Sequence, residues 1–303
     1  MKRVHLAAAC GLLLLASCAG SGGDDGDAQA RLTDPALGEA SGLAFSTTDP
    51  GFLWLINDSG SPALVHLAER NGKARGVVGL VGAQNIDWED IATFRWQGKS
   101  WILVADVGDN DGTRQFVSLY LFEEPPLPEK GAALSLNQSE VRRIVFRFPD
   151  GPRDCESVAV DPLDGSILLL TKREKAPRLY RLPLVRPAEE EVETAEFLGE
   201  TSNPPVIEGM PFHLFGKQPC GMDVSRDGRL ATVVTYQGVF LIRRLEGESW
   251  QAAFARPWVT LGTHRLVQAE SVGFSPKGDR VIITSEGVGA PLLEFAVPPE
   301  GDD

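Results

Sequence analysis

Histidine is scarce in this chain, and the arrangements that make it a catalyst or a zinc ligand are missing. Of four histidines, His5 sits in the N-terminal apolar segment, leaving His66, His213 and His264. There is no His-Glu-x-x-His pair to hold zinc and no Gly-x-Ser-x-Gly elbow to present a nucleophilic serine. Gly98-Lys99-Ser100 does not form a phosphate loop, because Thr93 stands where the upstream glycine is required. His264, in the stretch leading to Glu270, is read as a solvated loop residue, with a base role as the alternative. Positive charge is also short. The 29 Lys and Arg residues face 42 Asp and Glu residues, for a net charge of −13. Such a chain is a poor partner for nucleic acid through its overall field and suits cations or neutral ligands better. No segment beyond the N-terminus is apolar enough to span a bilayer. No long amphipathic helical pattern occurs.

The N-terminus is different. Lys2 and Arg3 precede an apolar run from Leu6 to Ala16, too short for a stable span but suited to a signal peptide. The run ends Leu15-Ala16-Ser17-Cys18, which resembles the lipobox of bacterial lipoproteins. The resemblance implies cleavage after residue 17, acylation of Cys18 and a lipid anchor. Ala19 after the cysteine, rather than Asp, favours the outer membrane by the same resemblance. Residues 1–17 are thus the signal peptide, 18–30 a flexible Gly/Ser/Asp-rich tether, 31–297 the folded domain and 298–303 an acidic tail. Loss of Lys2 and Arg3 takes the mature charge to −15. Cys155 and Cys220 then remain. An even pair in an oxidising compartment predicts a disulfide, with two buried thiols as the alternative.

Five segments share one pattern: Ala40-Ser-Gly-Leu-Ala-Phe-Ser46, Trp88-Glu-Asp-Ile-Ala-Thr-Phe94, Cys155-Glu-Ser-Val-Ala-Val-Asp161, Pro219-Cys-Gly-Met-Asp-Val-Ser225 and Ala269-Glu-Ser-Val-Gly-Phe-Ser275. Each alternates with a strand period of two and leads through a Gly-containing turn to a second apolar run. A third run follows every time, and a fourth in most repeats. With Ser41, Glu89, Glu156, Cys220 and Glu270 taken as equivalent, the steps are 48, 67, 64 and 50 residues. Insertions over 123–136 and 201–217 lengthen the middle steps. Without them the period lies in the ~40–50-residue range of propeller blades. The expected fold is all-β: a β-propeller of five four-stranded blades, with six as the alternative if the middle insertion hides one. The segment 31–37 is expected to supply the last blade's missing strand and close the ring. The expected state is a monomer.

Antiparallel blades place first-strand starts and second-strand ends on one face. That face gathers Ser41, Glu89, Glu156, Cys220 and Glu270 near the axis. It also gathers Asp58, Asp106, Lys172, Tyr236 and Glu286. Several carboxylates at one mouth call for a positive partner, and oxygen ligands at flexible spacing suit Ca²⁺. The predicted metal ligands are Glu89, Glu156 and Glu270, then Asp58 and Asp106. Lys172, Arg114, Tyr236, Glu286, Asp87 and Trp88 are candidate ligand-binding residues. Two other readings stand beside these. The glutamates can serve as ion-pair partners of Arg114, Arg153 or Lys172, and Trp88 can serve as blade packing. Asp106-Val-Gly-Asp-Asn-Asp-Gly112 resembles part of a calcium loop but has Val117 where the bidentate Glu belongs.

The motifs Asn57-Asp-Ser-Gly60, Asp87-Trp-Glu-Asp-Ile-Ala92, Ala105-Asp-Val-Gly-Asp-Asn110, Gly221-Met-Asp-Val-Ser225 with Thr235-Tyr236, and Ser285-Glu-Gly287 together resemble an uncharacterised family of secreted bacterial propeller proteins. More distantly the chain is similar to esterase-like phytase and gluconolactonase-type propellers, which implies a metal at the channel mouth. Ser41 and Cys220 depart from that pattern by standing where acids are often found. Two functions follow. One is a lipid-anchored module that binds Ca²⁺ and a small-molecule or protein ligand. The other is a metal-dependent hydrolase of phosphoesters, lactones or esters, with Glu156 or Glu270 as base and Lys172 or Arg114 holding an anion.

Overall fold

A computed structural model describes residues 27–185, 192–209 and 215–299. The signal peptide, Cys18, most of the tether, His213 and the end of the acidic tail lie outside the described residues. Among those described, no helix is long and apolar enough to cross a membrane.

The chain opens with β1 (Asp27–Arg31). Blade one follows as β2 (Ala40–Phe45), β3 (Phe52–Asn57), β4 (Leu64–Glu69) and β5 (Ala74–Leu80). Blade two begins with β6 (Trp88–Trp96), β7 (Lys99–Asp106) and β8 (Val117–Glu123). The insertion then supplies β9 (Ala132–Leu136), which adds in parallel to β5 at the rim of blade one. It therefore holds an outer strand and no sixth blade. β10 (Arg142–Arg147) completes blade two. Blade three is β11 (Cys155–Asp161), β12 (Ser166–Thr171), β13 (Arg178–Pro183) and, after the two-residue β14 (Glu193–Thr194) on the edge of blade two, β15 (Glu196–Glu200). Blade four is β16 (Gly221–Val224), β17 (Leu230–Val234), β18 (Gly238–Arg243) and β19 (Val259–Thr263), with a single-turn helix α1 (Trp250–Ala255) before its last strand. Blade five is β20 (Ala269–Phe274), β21 (Arg280–Ser285) and β22 (Pro291–Ala296), completed by β1.

The closing strand is thus N-terminal as expected but lies at Asp27–Arg31, within the stretch read as tether, rather than at 31–37. The edge of β22 offers unpaired backbone groups from Pro291 to Glu294, and β1 takes them with Arg31 opposite Pro291 and Asp27 opposite Glu294. Residues 32–37 instead fill the seam between blades five and one. There Leu32 and Leu37 are buried, and Thr33 N–H donates to the Gly72 carbonyl at 2.9 Å.

The core consists of five separate apolar layers, one between each pair of adjacent blades, including blades five and one. Because every inner strand is covered on both faces, second strands such as Ser166–Thr171 are buried throughout and read as continuous apolar runs. The small residues of the repeated motif have a different cause. First strands converge on the axis, and a Cβ on Gly221 would lie 2.3 Å from the Glu270 carbonyl oxygen. At the axis, fully buried Asp90 accepts from Ile91 N–H at 2.8 Å, Val158 N–H at 2.8 Å and Met222 N–H at 3.1 Å. One side chain thereby joins blades two, three and four.

Cys155 and Cys220 do not form the predicted disulfide; both are free and buried. Cys155 faces the layer between blades two and three, whereas Cys220 faces the layer between blades four and five. Cys220 is equivalent to Glu156, one residue after Cys155, and the interface of blades three and four separates the thiols. Cys155 Sγ contacts the Leu170 carbonyl at 3.5 Å, and Cys220 Sγ the Gln218 carbonyl at 3.2 Å.

Candidate cation and ligand site at the channel mouth

The equivalence drawn from the repeats appears in the ladders. In blades one, two, three and five the pairing slips by one residue at Ser41, Glu89, Glu156 and Glu270. Each is the extra residue of a β-bulge, a device that re-aims a side chain beside a site. Cys220 holds the corresponding place in blade four, one residue before the Gly221–Val234 pair. Ser41 turns to the next blade, donating to the Trp88 carbonyl at 2.8 Å.

The bulges bring carboxylates together in two groups that share Glu89. One oxygen each of Asp58, Asp87 and Glu89 lies within 4.8 Å of the others, as do those of Glu89, Asp154 and Glu156. The groups differ in charge compensation. In the second, Lys172 pairs with Glu156 and Arg173 with Asp154. In the first, among the described residues, no lysine or arginine makes an ion pair with Asp58, Asp87 or Glu89. Burial pushes Glu89 well above the usual carboxylate range, and the neighbouring Glu156, Asp58, Asp87 and Glu270 push it further. Asp87 rises to about 6 through burial and the nearby Asp58. Glu156 rises to about 8 through burial, in spite of Lys172. Gly108 lies against this cluster: a Cβ there would stand 2.1 Å from Glu89 Oε1 and 2.5 Å from Asp87 Oδ2. Only glycine lets the backbone come so close to two acidic groups.

On the other side of the mouth runs a polar chain. Lys172 Nζ donates to Tyr236 Oη at 3.3 Å and lies 5.0 Å from the centre of its ring. Tyr236 Oη donates to Glu270 Oε1 at 2.6 Å. Burial opposes the charge of Lys172, but the Cys220 sulfur and the Glu156 and Glu270 carboxylates outweigh it and hold its pKa above the ordinary value. Glu286 rises to about 9 through burial and the neighbouring Glu270.

Several sequence expectations are revised by this geometry. Asp106 is fully buried and lies in neither carboxylate group; its Oδ1 accepts from Arg114 at 2.7 Å and from Asp87 N–H at 3.2 Å. Arg114 also donates to the Gly108 carbonyl at 2.6 Å, so the pair latches the 106–114 loop beside the acids. Glu270 lies with Tyr236 and Glu286, apart from the two groups. Trp88 is packing: it is buried between blades one and two, its Nε1 donating to the Gln84 carbonyl at 3.0 Å. His264 is buried rather than solvated, with Nε2 2.9 Å from the Thr235 carbonyl oxygen.

Asp154 was missed, and a signal for it existed. Asp87-Trp88-Glu89 and Asp154-Cys155-Glu156 are the same Asp-x-Glu unit in successive repeats. The position two before the bulge is Glu39, Asp87, Asp154, Gln218 and Gln268 around the ring. Every repeat therefore carries an oxygen-bearing side chain there.

No protein-family model matches the sequence, and no curated protein matches it. Similar solved structures include a gluconolactonase from Xanthomonas campestris, described as important in glucose secondary metabolic pathways. It is 14% identical, with 86% of this chain and 72% of that chain covered and a TM-score of 0.47. Another is an auxiliary nutrient binding protein from Bacteroides thetaiotaomicron, 8% identical, with 86% and 70% covered and a TM-score of 0.44. The likeness is distant and concerns the propeller fold alone.

Proposed function

We propose that this propeller is a lipid-anchored, extracytoplasmic binding protein that holds Ca²⁺ in its acidic mouth and takes a ligand or partner beside it. The observation that carries this reading is Glu89, a carboxylate on a residue only 4% exposed, set among other acids with no cationic partner among the described residues. Leaving buried charges of one sign uncompensated is costly, and a bound cation removes that cost. Asp58, Asp87 and Glu89 offer hard oxygen ligands of the kind Ca²⁺ takes, with room for backbone carbonyls and water in its larger shell. Cys18 carries the anchor in this reading.

Binding is favoured over hydrolysis by the fate of the cations. Lys172 and Arg114, the groups a hydrolase would use to hold an anionic substrate, are committed to Glu156 and Tyr236, and to Asp106 and the Gly108 carbonyl. The test is thermal unfolding of the chelator-treated mature protein with and without Ca²⁺. A ligand at a hundredfold its Kd stabilises the fold by about 2.7 kcal/mol. A clear rise in Tm is expected for wild type and none for Glu89→Gln. An unmoved wild-type Tm at millimolar Ca²⁺ defeats the proposal.

A further inference from the structure

The closing strand fixes where the anchor joins the ring. In blade five, β20 runs from the mouth to the far face, β21 returns and β22 runs out again. β1 is antiparallel to β22, so it enters from the far side, with Asp27 opposite Glu294, and ends near the mouth, with Arg31 opposite Pro291. Glu294 is itself opposite Ile282, close to the far-face start of β21 at Arg280. β1 therefore begins at Asp27 on the far-face side of the ring.

We propose that the far face rests against the lipid surface and that the acidic mouth is turned away from it. This rests on the lipid anchor at Cys18 given above. Eight residues lie between Cys18 and Asp27, and the nine steps that join them reach about 30 Å when fully extended. Bringing the mouth to the bilayer would make the tether double back along β1, spending about 15 Å of that reach, and then pass the mouth loops. Charge acts in the same direction. Asp58 and Asp87 are partly exposed at the mouth without lysine or arginine ion pairs among the described residues, and anionic headgroups repel such a surface. The bound ligand or partner is thus drawn from the aqueous side, and the cation site is open to it while the protein stays tethered.

The experiment uses the acylated full-length mature protein on phosphatidylethanolamine–phosphatidylglycerol vesicles carrying an acceptor dye at the headgroup. Donor dyes are attached singly to Lys277→Cys, in the far-face turn of blade five, and to Val288→Cys, in its mouth connection. Both positions are exposed, and the native Cys155 and Cys220 are buried. Strands of this length separate the two labels by about 20 Å along the ring axis, so energy transfer from position 277 is expected to exceed that from position 288 about twofold or more. Equal transfer, or stronger transfer from position 288, overturns the proposed orientation. Flotation with the vesicles, compared with Cys18→Ser, reads the anchor separately. If the wild-type protein fails to float, the anchor itself is refuted and the orientation falls with it.

Discussion

Replacing Glu89 by glutamine tests whether the mouth is electrostatically frustrated without its cation. In the unfolded chain this carboxyl loses its proton near pH 4.3, whereas burial and four neighbouring acids keep the proton on it well above that value in the fold. The folded state then binds more protons than the unfolded state, so metal-free stability is fullest below the unfolded pKa and is lost as pH rises toward the folded one. The slope is about 1.4 kcal/mol per pH unit for one such group. Asp87, Glu156 and Glu286, raised to about 6, 8 and 9, act with the same sign in both proteins. Wild type and variant therefore both weaken with pH, and the variant weakens less. Urea unfolding in the presence of chelator at pH 5, 6, 7 and 8 measures this. The gap in favour of Glu89→Gln is expected to widen by up to about 1.4 kcal/mol per unit. Parallel curves, or a variant less stable throughout, would show that Glu89 does not strain the metal-free mouth.

Asp90→Ala is expected to remove about 3 kcal/mol or more of stability, because three buried N–H groups lose their acceptor. Asp90→Asn keeps an acceptor oxygen and is expected to lose much less; equal losses in urea unfolding would contradict the role of Asp90 as the axial clasp. Thiol titration of the unreduced mature protein is expected to find Cys155 and Cys220 unreactive when folded and both reactive in denaturant. Absence of free thiols in denaturant would show that a bridge forms.

The repeat was legible because each blade must supply a small-residue first strand at a crowded axis and a fully covered second strand. Those demands write themselves into Ala40–Ser46 and Ala269–Ser275 alike. Closure was legible only in kind: the edge of β22 accepts any extended backbone, so nothing in Asp27–Arg31 marks it over its neighbours. The site was read one column too narrowly. The column two residues before the bulge was read at Asp87 alone, which passed over its equivalent Asp154. Asp106 and Arg114 were placed on the correct face, yet their commitment to each other depends on the path of the 106–114 loop, which residue types do not specify. The disulfide failed because side-chain direction at adjacent strand starts alternates between different inter-blade layers, and a difference of one residue sends the two sulfurs to opposite sides.

Cation binding in the mouth is measured by calorimetric titration of Ca²⁺ into the metal-free mature protein at pH 7, in two buffers of different ionisation enthalpy. A cation on the group of Asp58, Asp87 and Glu89 must displace the proton that burial retains on Glu89. Wild type is expected to bind saturably, with a heat that changes with the buffer because a proton is released, and Glu89→Gln is expected to lose that binding. No saturable heat in either buffer, or binding that is unchanged in Glu89→Gln, would contradict a cation site at Glu89.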